Sequence, residues 1–172
     1  RLSDMSFRPT SMSLLVAPAS PDFYVQLGSK AEGVLCPSHW EYGTAYSEQM
    51  AKQEGILWAG PDQDEFVSRF QDHAGDKHRP PGYHPAEAGA QVLAYALGVD
   101  KAGSLEPQKV RKALGELMFM SFYGHWDIDE TGLQVGHDMV DIQWQNAQRA
   151  IVWPRLAQTA PPMYPLTGAA KE

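Results

Sequence analysis

Apolar positions along this chain alternate between short continuous runs and stripes at helical spacing. Residues 11–16, Ser-Met-Ser-Leu-Leu-Val, predict a strand that Ala17-Pro18 ends. From Pro21, a good first-turn residue, through Tyr24 to Leu27 the pattern predicts a short helix, with Gly28 as its stop. Gly33-Val34-Leu35-Cys36, bounded by Gly33 and Pro37, predicts a buried strand. Strand, helix and strand in this order suggest a parallel βαβ unit.

Residues 37–61 have loop composition and hold Trp40, Tyr42, Tyr46 and Trp58, with a helical stretch expected over 47–53. Asp62 is placed to cap the next helix, with Glu65 three residues on, as in a capping box. Phe66, Val67, Phe70 and Ala74 form its apolar stripe and Gly75 ends it. A polar loop over 76–82 leads to a helix with Pro85 in its first turn and Gly89, Val92, Leu93, Ala96 and Leu97 at helical spacing. The small residues over 86–90 allow another backbone to approach closely. A third helix is predicted over 106–117, with Ser104 as N-cap.

After Leu117 the period changes. Phe122, Tyr123, Trp126 and Ile128 predict a short extended pair, and 129–132 a turn. Residues 139–144 alternate as a half-buried strand, 145–148 form a hairpin loop and 150–153 the partner strand. From Pro154 a Pro-rich tail is expected to be extended or frayed. There is no internal repeat.

Composition adds exclusions. With 43% hydrophobic and 20% charged residues, the 172-residue chain falls in the globular range. The net charge of -7, with no basic run, argues against a nucleic-acid or anionic-membrane surface. No apolar stretch approaches the roughly 18–20 residues of a membrane span, so no direct membrane insertion is expected. The single cysteine, Cys36, excludes an internal disulfide and suits a small core residue. The chain opens Arg1-Leu2-Ser3-Asp4 without an initiator Met or an apolar leader segment. The expectation is a processed chain or a fragment.

Candidate chemistry is sparse. His84 and Glu87 stand at i, i+3, a spacing that could ligate zinc or do acid–base work, but no second histidine follows at i+4. A helix-start histidine and a structural glutamate are favoured. Residues 127–138 partly match a calcium loop, with Gly132 at the sixth position, but Thr131 stands at the fifth and Asp138 at the twelfth. A β-turn is favoured there. Nucleophile elbows and phosphate-binding glycine loops are absent from the sequence. No catalytic residue, metal or cofactor is expected.

Several strings together are more informative. Ala31-Glu32-Gly33-Val34-Leu35 resembles the "AEGV" strand of the type I periplasmic solute-binding proteins of ABC importers, in the branched-chain amino-acid (leucine/isoleucine/valine) group. Phe66-Val67 to Phe70, then Arg79-Pro80-Pro81-Gly82-Tyr83-His84-Pro85-Ala86-Glu87-Ala88, resembles that family's helix and the entry to its next helix. Ala102-Gly103-Ser104-Leu105-Glu106-Pro107, through Val110-Arg111-Lys112-Ala113-Leu114, is similar to its "AGS" segment. Phe122-Tyr123-Gly124, Asp129-Glu130-Thr131-Gly132, Val135-Gly136-His137 and residues 140–144 resemble its closing section. The resemblance covers about residues 8–155.

The resemblance implies an α/β chain with a partial type I periplasmic-binding-protein fold: Rossmann-like lobes, three-layer αβα, C-terminal portion only. It assigns 1–36 to the end of the second lobe and 37–125 to crossover and helices of the first lobe. Residues 126–155 return as a closing hairpin of the second lobe, and 156–172 form an extended tail. It further implies a periplasmic receptor that captures a small organic solute between two lobes and presents it to ABC permease subunits, with any signal peptide in the missing N-terminal half. A sensory domain of the same fold, or a hydrolase using His84 and Glu87, are the alternatives. The turn Ala17-Pro18-Ala19-Ser20 matches the loop where leucine-type binders carry a glutamate for the ligand ammonium; here Ala19 and Ser20 stand there. Trp40, Tyr83 and His84 match cleft-facing positions and would form an aromatic wall. That wall suits an amino-acid-like solute or an apolar or aromatic carboxylate.

Overall fold

The computed structural model describes residues 9–78 and 81–166. The chain divides into two compact units, one of residues 1–43 with 139–172 and one of residues 44–138. Arg79 and Pro80 of the family-like loop, and the chain ends 1–8 and 167–172, lie outside the described residues.

The first unit is built on an antiparallel sheet of β1 (Leu35–Ser38), β5 (Val140–Gln145) and β6 (Gln148–Trp153), in the order β1-β5-β6. The strand expected over 11–16 is only a parallel bridge of Ser13 with Leu35, held by Leu14 N–H to the Leu35 carbonyl at 2.9 Å and Leu35 N–H to the Met12 carbonyl at 2.8 Å. Its end has a local cause. Val16 has φ 65° and ψ -63°, and Ala17 N–H donates to the Leu15 carbonyl at 2.7 Å. That is a γ-turn, strained for a β-branched residue, and it breaks the strand before Pro18.

The short helix α1 (Asp22–Leu27) follows as expected. Its Tyr24 and Phe23 rings stack on Trp144 of β5, at 5.2 Å and 6.4 Å between centroids. The Trp144 indole N–H donates to the Pro18 carbonyl at 2.8 Å. β5 does not alternate as predicted: Val140, Ile142, Gln143 and Trp144 are all buried. The tail is the reason. Gln143 Nε2 donates to the Met163 carbonyl at 3.0 Å, and Gln145 Nε2 to the Pro161 carbonyl at 2.9 Å, so 161–163 cover the face expected to meet water. Up to residue 166 the tail is tied down rather than simply extended: it turns over 154–157, with Ala157 N–H donating to the Pro154 carbonyl at 3.0 Å, and Leu166 N–H donates to the Thr10 carbonyl at 2.8 Å.

Asn146 and Ala147 link β5 to β6, both at positive φ (53° and 64°), the backbone of a type I′ hairpin. Neither is glycine. The Glu32 carboxylate takes both of their N–H groups, Asn146 at 2.9 Å and Ala147 at 2.8 Å. The acid of the AEGV string is thus a turn holder.

The second unit carries α2 (Glu48–Glu54), β2 (Leu57–Trp58), α3 (Gln63–Ala74), α4 (Tyr83–Ala102), α5 (Pro107–Gly115), β3 (Phe119–Met120) and β4 (His125–Trp126). β2 pairs parallel with β3, and β3 antiparallel with β4. The predicted Asp62 cap is present, its Oδ1 accepting from Glu65 N–H at 2.8 Å. α4 begins at Tyr83, two residues before Pro85. Extended Gly82 is its N-cap, and Pro85 falls in the first turn, where no N–H is needed. Pro107 starts α5, while Ser104 accepts from Glu106 N–H at 3.1 Å one step ahead of the helix. A core of Ala59, Ala94 and Phe119 forms beneath Leu93, Leu97, Leu117 and Trp126. The small residues of α4 admit rings rather than another backbone. A Cβ at Gly89 would stand 3.2 Å from Phe66 and 3.5 Å from Phe122, which stack with centroids 4.1 Å apart.

Candidate functional site

Each predicted site residue lies in one unit. In the first, Ala19 is buried in the 3-10 turn Ala17–Ala19, and its carbonyl accepts from Arg149 Nη1. Ser20 Oγ accepts from Asp22 N–H at 3.3 Å at the start of α1. Trp40 is 0% exposed, and its carbonyl accepts from Ser38 Oγ at 2.9 Å. A ring so covered must be uncovered before it can touch a solute. In the second unit, Tyr83 is 8% exposed and stacks on exposed His84, with centroids 4.0 Å apart.

Two groupings escaped sequence reasoning. One is a buried ion pair of the first unit, Glu41 with Arg149, Oε2 to Nη2 3.3 Å. Burial pushes the Glu41 carboxyl up to about 7, against the opposing pull of Arg149 and of the Ser38 hydroxyl, which donates to Oε1 at 3.3 Å. A charged residue in a strand next to Ala150-Ile151-Val152 was the available signal for Arg149.

The other lies in the second unit. The tight turn Ser121–Gly124, closed by Ser121 N–H to the Gly124 carbonyl at 3.0 Å and Gly124 N–H to the Ser121 carbonyl at 3.1 Å, turns Phe122 inward and leaves Tyr123 half-buried. Tyr123 stacks on His137 at 4.6 Å, and Tyr46 stands 6.1 Å from the same imidazole. Gly124, at φ 146°, makes this possible: a Cβ there would lie 2.3 Å from His137 Nδ1 and 3.3 Å from Tyr46 Cε2. Burial raises the Tyr123 hydroxyl pKa above its usual value, followed by the effects of Glu87, Tyr83 and Tyr46.

The alternative chemistries fare differently. No hydrogen bond or ion pair joins His84 to Glu87 among the described residues; Glu87 Oε1 accepts from Gln91 Nε2 at 3.4 Å. Asp129 Oδ1 is engaged by Thr131 N–H (2.8 Å), Thr131 Oγ1 (2.6 Å) and Leu133 N–H (3.0 Å), so this segment forms a hydrogen-bonded turn. Among the described residues no three His, Cys, Asp or Glu side chains are grouped to hold a metal. Cys36 is buried in β1, where burial pushes its thiol pKa up. No described helix is long and apolar enough to cross a membrane.

The sequence profile of the family described as periplasmic binding protein matches residues 12–149. The chain belongs to this periplasmic binding protein family. Solved structures of similar fold include the leucine binding protein LivK from Thermotoga maritima, at TM-score 0.59 and 20% identity, over 77% of this chain and 33% of that one. A putative branched-chain amino acid ABC transporter from Silicibacter pomeroyi matches at 0.63 and 15%, over 89% of this chain and 40% of that one. An ABC transporter substrate-binding protein from Desulfitobacterium hafniense, in complex with Leu, matches at 0.52 and 21%, over 71% and 32%. The expected type I periplasmic-binding-protein fold, present in part, is thereby established. The chain spans about a third to two fifths of the length of these relatives.

Proposed function

We propose that this periplasmic binding protein chain belongs to the solute-binding component of an ABC-type importer, working in the periplasm and delivering a small organic solute to permease subunits. The profile match over residues 12–149 carries the reading, and the solved relatives described as ABC transporter proteins support it. Mechanism here is capture, with no bond made or broken. As the family resemblance implies, the solute is held between two lobes, to which 1–36 with 126–155, and 37–125, contribute. Exposed His84 offers aromatic surface backed by the buried Tyr83 ring stacked on it, Ala19 and Ser20 a small-residue turn, and Trp40 a further ring if uncovered. The solute class is amino-acid-like or an apolar or aromatic carboxylate. The experiment is mass spectrometry of small molecules released by acid from freshly purified protein. A stoichiometric organic solute that rebinds the emptied protein is expected. Purified protein that neither carries nor takes up such a solute would contradict the proposal.

A further inference from the structure

We propose that residues 158–166 form a strap that lifts off the β5–β6 hairpin while the sheet beneath stays folded, and that Gln143 and Gln145 are its seat, reading an extended segment through its main chain. The strap is a device of the first unit alone and stands apart from the capture of a solute.

Three observations carry it. The first is how the segment is held. Gln143 meets one residue twice: its Nε2 donates to the Met163 carbonyl at 3.0 Å, and Met163 N–H donates to its Oε1 at 2.6 Å. A side-chain amide bonded in this way stands in for the peptide group of a neighbouring strand. Gln145 lies two residues on, on the same face of β5, and its Nε2 donates to the Pro161 carbonyl at 2.9 Å, two residues back along the strap. At the near end Thr159 N–H donates to the Ile151 carbonyl at 2.8 Å, and Ile151 N–H to Thr159 Oγ1 at 2.9 Å. A side chain is read at Gly33, where Leu166 Cδ1 occupies the space that a Cβ would fill.

The second observation is how little the strap buries. Of residues 161–166, Pro161, Pro162, Tyr164 and Pro165 are exposed, and Met163 and Leu166 are half-buried. A segment with so little apolar area against the fold lies at the low end of local stability. Its three prolines have no N–H, so lifting it frees few donors.

The third is what lies beneath. Gln143 is 1% exposed under the strap, yet the face it shares with Gln145 is polar. Gln143 Nε2 also donates to the Gly33 carbonyl at 2.9 Å, and its Oε1 accepts from Gln145 Nε2 at 2.8 Å. These two bonds keep the amides oriented once the strap has gone, and water replaces Met163 and Pro161. Ile142 and Trp144 stay covered on the opposite face. Lifting therefore uncovers groups that water satisfies, not the apolar side of the sheet.

The test is hydrogen exchange of single amides in the full chain, read by NMR. The reference is Trp144 N–H, which donates to the Val34 carbonyl at 3.1 Å inside the sheet. In the parent, Met163 N–H is expected to exchange about a hundredfold faster than Trp144 N–H and without dependence on low denaturant, because local lifting exposes little surface. Leu166→Asp, at the Gly33 socket, is expected to speed Met163 N–H about tenfold or more and leave Trp144 N–H unchanged. Gln143→Met, similar in length and without the amide, is expected to do the same. Exchange of Met163 N–H at the rate and denaturant dependence of Trp144 N–H overturns the strap, since the segment then opens only with the sheet. An equal rise at Trp144 N–H and Met163 N–H in both variants overturns it on the same ground. Unchanged Met163 N–H in both variants overturns the seat.

Discussion

Glu41 Oε2 lies 3.3 Å from Arg149 Nη2, with the two side chains 4% and 8% exposed. Arg149 also donates to the Ala19 carbonyl, so one guanidinium ties the end of the 35–41 segment to the 17–20 turn across β6. Removing the cation strips both partners inside a dry environment. Arg149→Ala is expected to cost about 3 kcal/mol in urea unfolding, the usual scale for breaking a buried pair. A loss below about 1 kcal/mol would show that the pair contributes little.

The same pair gives a pH dependence of definite sign. The Glu41 carboxyl sits at about 7 in the folded chain against an ordinary value of 4.5, because burial outweighs the pull of Arg149 and Ser38. The unfolded chain therefore loses this proton first. The group's contribution is fully present below pH 4.5 and is lost as pH rises through 7, on the order of 3 kcal/mol in all. Glu41→Gln keeps the shape and cannot ionise, so its stability is expected to stay flatter between pH 5 and 8 than that of the parent chain. Denaturant midpoints at pH 5, 6, 7 and 8 for the two proteins check this. Parallel curves would refute it.

The hairpin at 146–147 makes a compensated strain testable. Ala147 holds φ 64°, costly for any residue with a Cβ, and Glu32 accepts its N–H. Ala147→Gly is expected to stabilise the chain by about 1 kcal/mol, and Glu32→Ala to destabilise it by about 1 kcal/mol or more. The expected order of melting temperatures is Ala147→Gly above parent above Glu32→Ala. Any other order counts against this account of the turn.

Much of the architecture was legible because local rules determined it. Asp62 with Glu65 marked the start of α3, and Gly75 closed it in a left-handed conformation. What was illegible depended on distant chain. The alternation of β5 fails because 161–163 pack over it, and nothing in 139–145 signals a covering segment 20 residues away. Residues 11–16 looked like a strand by apolarity, yet only one bridge forms because Val16 takes a backbone that no local propensity favours. Tyr83 and His84 were singled out through the family-like string around them. Tyr46, Tyr123 and His137 were not, because they come from three segments that meet only over Gly124.

Apolar exposure in the first unit has a colloidal consequence. Leu14, Leu15, Val16, Val25 and Leu27 are all exposed, Leu15 by 74% and Val25 by 82%. Exposed apolar side chains favour association where they lie together. Sedimentation velocity is expected to show concentration-dependent self-association, weakened in Leu15→Lys/Val25→Glu. A chain that stays monomeric at every concentration would show that these side chains are not a sticky surface.

The central claim is that this chain captures an organic solute through the aromatic surface at the start of α4. The direct measurement is titration calorimetry of the parent protein and Tyr83→Ala, with aromatic acids and amines beside leucine and valine, and a thermal melt as the check on folding. An aromatic contact contributes about 0.5–1.5 kcal/mol beyond its burial, so a folded Tyr83→Ala is expected to lose about tenfold or more in affinity for the aromatic solute. An unchanged affinity in folded Tyr83→Ala, or no binding of any solute by the parent, would contradict it.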